Sequence, residues 1–286
     1  MTVLLLALGS AFCIGLNNVL TRKALDFTSQ AQAILVSVGV ATTIFLCINV
    51  AFRNIPLFFV PGALLFFFAG ALGPGIGRTL NITSAKRIGV ARTIPVVGTA
   101  PFFAAILAIL FLKEAYSLYL FLGMALIVFG IFVLSRRKNA QGKRVFDKKD
   151  LLLPLGSAVC GGVSIAVTKV ALGFLDNPVV GVGLTLGAAL FVILGYIVGT
   201  RQLHHFRVMH KGSLFPFLGG FSMATAFFLN FSALQMGDVS VVAPLMSTFP
   251  LFGVFLSHFF LKEEITGRTW LAAIIIVLGI AVIQVF

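Results

Sequence analysis

Apolar stretches long enough to cross a bilayer recur from one end of this chain to the other, separated by short polar breaks. A spanning helix needs about 20 mostly apolar residues, and in lipid its backbone polar groups must be satisfied internally. That recurrence points to an all-α membrane protein. Composition agrees where it matters, because 10% charged residues against 59% hydrophobic ones cannot clothe a water-soluble core. Ten spans are predicted, at 2–21, 29–51, 58–82, 88–112, 117–135, 151–170, 178–199, 212–235, 239–261 and 268–286. The first lacks the basic flank and small-residue cleavage site of a signal peptide and reads as a retained helix.

The one break of soluble character holds Arg136, Arg137, Lys138, Lys143, Arg144, Lys148 and Lys149. It divides the chain into a half at 1–135, a basic linker at 136–150 and a half at 151–286. Sliding the sequence against itself supports this seam. The segment LGSAFC from Leu8 matches LGSAVC from Leu155 at an offset of 147, with Arg22 falling on Lys169. Further on, an offset of 149 pairs Asn81 with Asn230, Pro95 with Pro244, Thr99 with Thr248 and Pro101 with Pro250. It also pairs Lys113 and Glu114 with Lys262 and Glu263, and 18 of 55 positions between Leu80 and Leu134 are identical. Apolar composition alone would match leucines; it would not bring prolines, an asparagine and a Lys-Glu pair into register. Five helices per repeat is an odd number, so the second copy enters the membrane upside down. The expected architecture is therefore two inverted five-helix repeats, the arrangement of many secondary transporters.

Of the 21 Lys and Arg, most fall in the breaks after spans 1, 3, 5, 7 and 9. This charge pattern explains the net +13 through membrane topology rather than nucleic-acid binding, and it places both termini outside. The three cysteines, Cys13, Cys47 and Cys160, lie within apolar stretches without metal or redox spacing, and no cofactor motif is present.

The run from Ala233 to Leu245 (ALQMGDVSVVAPL), followed by Pro250-Leu-Phe and Leu261-Lys-Glu-Glu-Ile-Thr, resembles the EamA repeat of the drug/metabolite transporter superfamily. Its first-half counterpart runs from Ala85 through Val90 and Pro101 to Leu112-Lys-Glu. The resemblance implies a ten-helix basket with a central cavity lined by helices 1, 3, 4, 6, 8 and 9. It also implies cytoplasmic termini, opposite to the charge count. Lys86, Arg87 and Arg92 depart from the family pattern, whose corresponding segment is less basic.

Ionisable groups within spans are costly and read as functional by default. Arg78 is the leading candidate. The predicted span puts it about seven residues past the helix middle, so substrate contact competes with snorkelling to the interface. Arg92 is a second candidate, and either guanidinium could hold a carboxylate or phosphate bidentately. Asn17, Asn18, Asn81 and Asn230 offer uncharged donors and acceptors for a cavity, with helix-to-helix packing as the alternative. Pro95, Pro101, Pro244 and Pro250 are candidate hinges, since each removes a helix hydrogen bond. The resemblance gives Arg22 and Lys169 a topological or gating role rather than direct binding. Glu114 and Glu263 read as end caps with local ion pairs, and His258 as a packing or interfacial residue. Gly73-Pro-Gly-Ile-Gly77 lacks the Lys-Ser/Thr of a phosphate loop.

None of the eight acidic residues falls near the middle of a predicted span. A proton-driven exporter of cations would hold a carboxylate there. The expected function is transport of small polar metabolites, amino acids or related zwitterionic and anionic compounds, by alternating access. Multidrug efflux is the alternative, and an intramembrane enzyme is disfavoured because no hydrolase, HExxH or clustered-aspartate motif is present. The expected setting is the cell membrane, with the chain a monomer whose partners are its substrate and the lipid bilayer.

Overall fold

The computed structural model describes residues 1–115, 117–135, 148–200, 214–261 and 267–284, leaving aside the side chains of 90–92, 135, 148 and 284. Among these residues every regular element is helical. The elements are α1 (Thr2–Ala24), α2 (Gln30–Ala51), α3 (Ala63–Ile88), α4 (Val90–Val97 and Ala100–Leu112) and α5 (Leu118–Ser135). The second half supplies α6 (Leu152–Phe174), α7 (Pro178–Gly199), α8 (Leu214–Met236), α9 (Val239–Met246 and Phe249–Leu261) and α10 (Gly267–Gln284). Eight of them are long and apolar enough to cross a membrane. The two others, α5 and α10, are apolar but only 18 residues each, about 27 Å by helical rise.

Helix ends follow local chemistry. The Ser29 hydroxyl accepts from the Gln32 amide to cap α2, and the Asn177 carboxamide accepts from the Val180 amide to cap α7, with Pro178 in its first turn. The largest departure from expectation is α3, which was placed at 58–82. Residues Ile55–Phe59 instead form a short 3-10 turn, and the helix starts at Ala63. It then runs past the polar residues after position 82, because Thr83 and Ser84 bond to neighbouring helices instead of meeting water. Gly89, with φ of 87°, finally separates α3 from α4. Inside α3, Ala71–Gly77 widens into a π-helical segment around Pro74, which cannot donate a backbone hydrogen bond.

Contacts between the halves come in matched pairs. Helix α1 packs on α8 as α6 packs on α3; α1 meets α9 as α6 meets α4; α8 lies on α2 as α3 lies on α7. Two further pairs, α5 with α10 and α2 with α7, each join a helix to its own counterpart in the other half. Individual atoms repeat the pattern. Ser10 Oγ donates to the Ala226 carbonyl and Ser157 Oγ to the Gly77 carbonyl, both at 2.8 Å. Ser37 reaches the Pro216 carbonyl on α8, and Thr185 reaches the Phe66 carbonyl on α3, each at 3.1 Å. At Gly15 a Cβ would lie within 2.9 to 3.1 Å of α9 at Gly253, Phe252 and Phe249. At Gly162 it would lie within 2.6 to 2.9 Å of α4 at Phe103, Ala104 and Ala100. These close crossings are the membrane form of stability, where small residues let backbones approach and dispersion replaces the hydrophobic effect.

Candidate functional site

The revised bounds of α3 move its midpoint to between Gly75 and Ile76. Arg78 thus lies about 4 Å from mid-span rather than the roughly 10 Å that the expected helix gave, which corrects the snorkelling argument. Two stripes of α3 are occupied by neighbours. Gly73, Gly77 and Leu80 abut α6 at Ser164, Cys160 and Gly156. Gly70 and Gly75 abut α7 at Thr185 and Val192, and Thr83 Oγ1 lies 3.4 Å from the Tyr196 hydroxyl. A third stripe carries the exposed Leu64, Phe68 and Ile76 to lipid. Arg78, Asn81 and Ala85 are all half-buried and belong to none of these three stripes. Arg78 is half-buried and makes no hydrogen bond or ion pair among the described residues.

The asparagines of α1 separate. Asn17 is buried against α8, its Oδ1 beside Gly219 and without a hydrogen-bond partner. Asn18 is exposed, on a stripe with the buried Ala7 and Ala11 and away from the lipid-exposed Leu5 and Phe12. Asn18 and Asn81 both lie about 8 Å from their helix midpoints, in the half of the membrane nearer the basic breaks. Asn230, the counterpart of Asn81, is half-buried in α8 toward the opposite face, its Oδ1 also unpartnered. Arg78, Asn81 and Asn18 therefore share one end of the molecule; Asn17 is at a helix contact and Asn230 at the other end. Arg92 is in the first turn of α4, and its side chain lies outside the described residues.

The proline helices share a detailed break. The Thr99 hydroxyl donates to the Val96 carbonyl at 2.6 Å and the Thr248 hydroxyl to the Leu245 carbonyl at 2.7 Å. Pro101 and Pro250 sit in the first turn of the second segment, and Pro95 and Pro244 inside the first. The two first segments differ in surroundings. In α9, Val239, Val242, Ala243, Pro244 and Leu245 are buried, packed on α1, α4 and α6. In α4, Ile94, Pro95, Val96 and Val97 are half-buried, and the segment packs on α3, α5 and α6. Val242 to Leu245 are thus more fully covered than Ile94 to Val97.

Two charged side chains bind the α8–α9 turn: Glu114, expected as an end cap with a local ion pair, and Lys169, for which the resemblance implied a topological or gating role. Lys113 adopts a left-handed conformation, φ of 57°, which ends α4 and directs Glu114 across to the other half. The Glu114 carboxylate accepts from the Val239 amide at 2.8 Å and the Ser240 amide at 2.9 Å, capping α9. Lys169 Nζ donates to the Leu234 and Gly237 carbonyls, at 2.6 and 2.9 Å, at the end of α8. Charge of the right sign thus meets each helix terminus. The expectation that Glu114 caps a helix end is met, but on a helix distant in sequence. Glu263 and Lys262 lie outside the described residues. His258 is exposed, with its ring edge-on to Phe259. No group of residues suited to a metal ion occurs among the described residues.

No curated protein matches the sequence. A solved structure, described only as a crystal structure of a protein, has the same fold: TM-score 0.80 over 97% of this chain and 95% of that one, at 17% identity. The family model for EamA-like transporters matches residues 1–136 and again 148–285. Two matches that together cover nearly the whole chain, on an all-helical body with eight helices able to cross a bilayer, place it plainly: this is an integral, multi-pass membrane protein of the EamA-like transporter family, within the drug/metabolite transporter superfamily.

Proposed function

We propose that the protein carries small anionic or zwitterionic metabolites, amino acids or related compounds, across the cell membrane by alternating access. The observation that carries this reading is Arg78: a half-buried cation near mid-span with no acidic partner among the described residues. An unpaired buried charge is expensive, so a cationic site of this kind is made for a ligand that brings the opposite charge. The described acidic residues, Asp26, Glu114, Asp150, Asp176 and Asp238, all lie at or beyond helix ends. A site biased in this way favours a carboxylate or phosphate over a cationic drug. Asn81 and Asn18 supply hydrogen bonds on the same end of the cavity.

The matched packing of the two halves supports ten spans in two inverted repeats, at 1–135 and 151–286 on either side of the linker at 136–150. In such a design the Pro95–Pro101 and Pro244–Pro250 breaks serve as hinges, and the cavity is complete within one monomer. A thermal-shift panel of amino acids, 2-oxo acids, sugars and phosphorylated metabolites on the purified protein tests the reading. Carboxylates or phosphates are expected to stabilise the parent and not Arg78→Ala. Stabilisation by cationic compounds alone, or equal stabilisation of both proteins, would sink it.

A further inference from the structure

At the end of the molecule nearest the basic breaks, α2, α3 and α7 enclose a cleft of about 310 Å³ with its open mouth included. Its walls are mostly isoleucine, Ile82 and Ile193 among them, and Lys86 and Tyr196 belong to its lining. The matched place at the other end is filled. Helix α2 corresponds to α7 at the spacing that pairs Ser37 with Thr185, and α3 to α8 at the spacing that pairs Asn81 with Asn230. Thr79, Ile82 and Ile193 then correspond to Phe228, Phe231 and Phe45. Phe45 packs on Phe228 with ring centroids 6.4 Å apart, and Phe231 is buried. Ile197 corresponds to Asn49, whose amide donates to the Val179 carbonyl at 3.0 Å. Rings and a hydrogen bond thus occupy in one copy the space that smaller side chains leave open in the other. Lys86 stands where α8 has Gln235, which bonds to Asp176. Its neighbour Arg87 pairs with Asp150 at 3.1 Å, whereas Lys86 has no hydrogen bond or ion pair among the described residues.

We infer that this cleft continues the binding site that begins at Arg78, and that it takes an anion with an apolar middle and a second anionic end. Arg78–Ile88 is regular α-helix, so Arg78, Ile82 and Lys86 fall four residues apart on one ridge of α3. The ridge reads cation, apolar, cation over about 12 Å of helical rise. A dicarboxylate with a methylene chain has the same order: one carboxylate on Arg78, the chain along Ile82 and Ile193, the other carboxylate on Lys86 at the mouth. Tyr196 adds a donor. The Thr83 hydroxyl gives its proton to the Thr79 carbonyl at 2.8 Å, so in its 3.4 Å contact with Tyr196 the phenol is the donor. A contact that long yields readily to a carboxylate. Ile193 and Ile197 are buried while Phe191 and Val198, on the opposite face of α7, are exposed, so the cleft lies on the protein side of that helix.

This substrate class rests on the Arg78 reading, and three variants separate the two. The probes are octanedioate, its monomethyl ester and succinate, titrated calorimetrically into the purified full chain. The parent should bind octanedioate about fivefold more tightly than the monoester, the scale of one solvent-exposed charge pair, and more tightly than succinate, which is too short to reach both cations. Lys86→Gln changes an exposed side chain, so the fold is not at stake, and it should abolish the preference for octanedioate over the monoester. Ile193→Phe copies the residue at the matched place and should weaken both long ligands about tenfold by filling the cleft, while sparing succinate. Octanedioate bound as tightly by Lys86→Gln as by the parent, or succinate equal to octanedioate in the parent, overturns the cleft. If Arg78→Ala loses every carboxylate while Lys86→Gln keeps the octanedioate preference, the cleft falls and the Arg78 reading stands. If Arg78→Ala binds all three probes as the parent does while Lys86→Gln loses the preference, the Arg78 reading falls and the anion contact at Lys86 stands.

Discussion

The first segments of α4 and α9 follow one pattern, share a proline and end at the same threonine break, and each packs on helices of both halves, yet Val242 to Leu245 are buried where Ile94 to Val97 are half-buried. Val90–Val97 carries Arg92 and Thr93 where Val239–Met246 has Val241 and Val242, so the α4 segment has less apolar surface to bury. The ends differ too: the α9 segment is capped from the opposite half by Glu114, while α1 lies along it as α6 lies along the α4 segment. Matched places in two repeats thus diverge where a basic residue stands in one copy and an apolar one in the other.

This comparison can be broken, or made sharper, in four ways. The largest effect is expected at Arg78, near mid-span on α3, ahead of the segments compared above. Arg78→Ala should weaken carboxylate binding by more than about thirtyfold, and Arg78→Lys should keep part of it, as read by ligand-induced shifts in melting temperature. Next come the crossings that both repeats share. Gly15→Leu and Gly162→Leu each drive a side chain into a packed helix and should cost about 1–3 kcal/mol in stability, by similar amounts, if these contacts are scaffold. A large difference would mean that one crossing belongs to the moving part. Ser10→Ala and Ser157→Ala remove equivalent hydrogen bonds and should each lower stability by about 1 kcal/mol, again equally, in thermal unfolding. The smallest effect is at Lys113, where glycine would relieve the left-handed conformation. Lys113→Gly should change stability by less than about 1 kcal/mol in thermal unfolding, whereas Glu114→Gln, which weakens the cap on α9, should cost more.

Much of the scaffold was legible in the residues. The register of Pro95, Pro101 and the Lys-Glu pair with their second-half partners foretold the shared Thr99 and Thr248 breaks, because identical side chains at identical helix positions make the same local bonds. The LGSA segments likewise carried Ser10 and Ser157 to matching carbonyls. What hydropathy could not show was where α3 lies: a window of apolar residues ignores polar groups that bond to other helices, so it stops short of Thr83 and Ser84 and sets Arg78 too shallow. The partner of Glu114 was hidden for a different reason. A cap between helices far apart in sequence leaves no mark on local spacing, although the repeated Lys-Glu pair did signal that the turn had a role in both halves. Asn17 and Asn18 show the limit of composition, since adjacent residues on one helix face different surroundings.

The central claim is that a substrate meets Arg78 in a cavity exposed to one side of the membrane at a time. Exchange in proteoliposomes addresses it most directly, with vesicles loaded with an unlabelled carboxylate that stabilises the protein and the labelled compound added outside. The account predicts rapid counterflow with the parent chain, slower counterflow with Arg78→Lys and none above empty vesicles with Arg78→Ala. Equal counterflow in all three proteins, or none with any carboxylate or phosphate that binds, would contradict it.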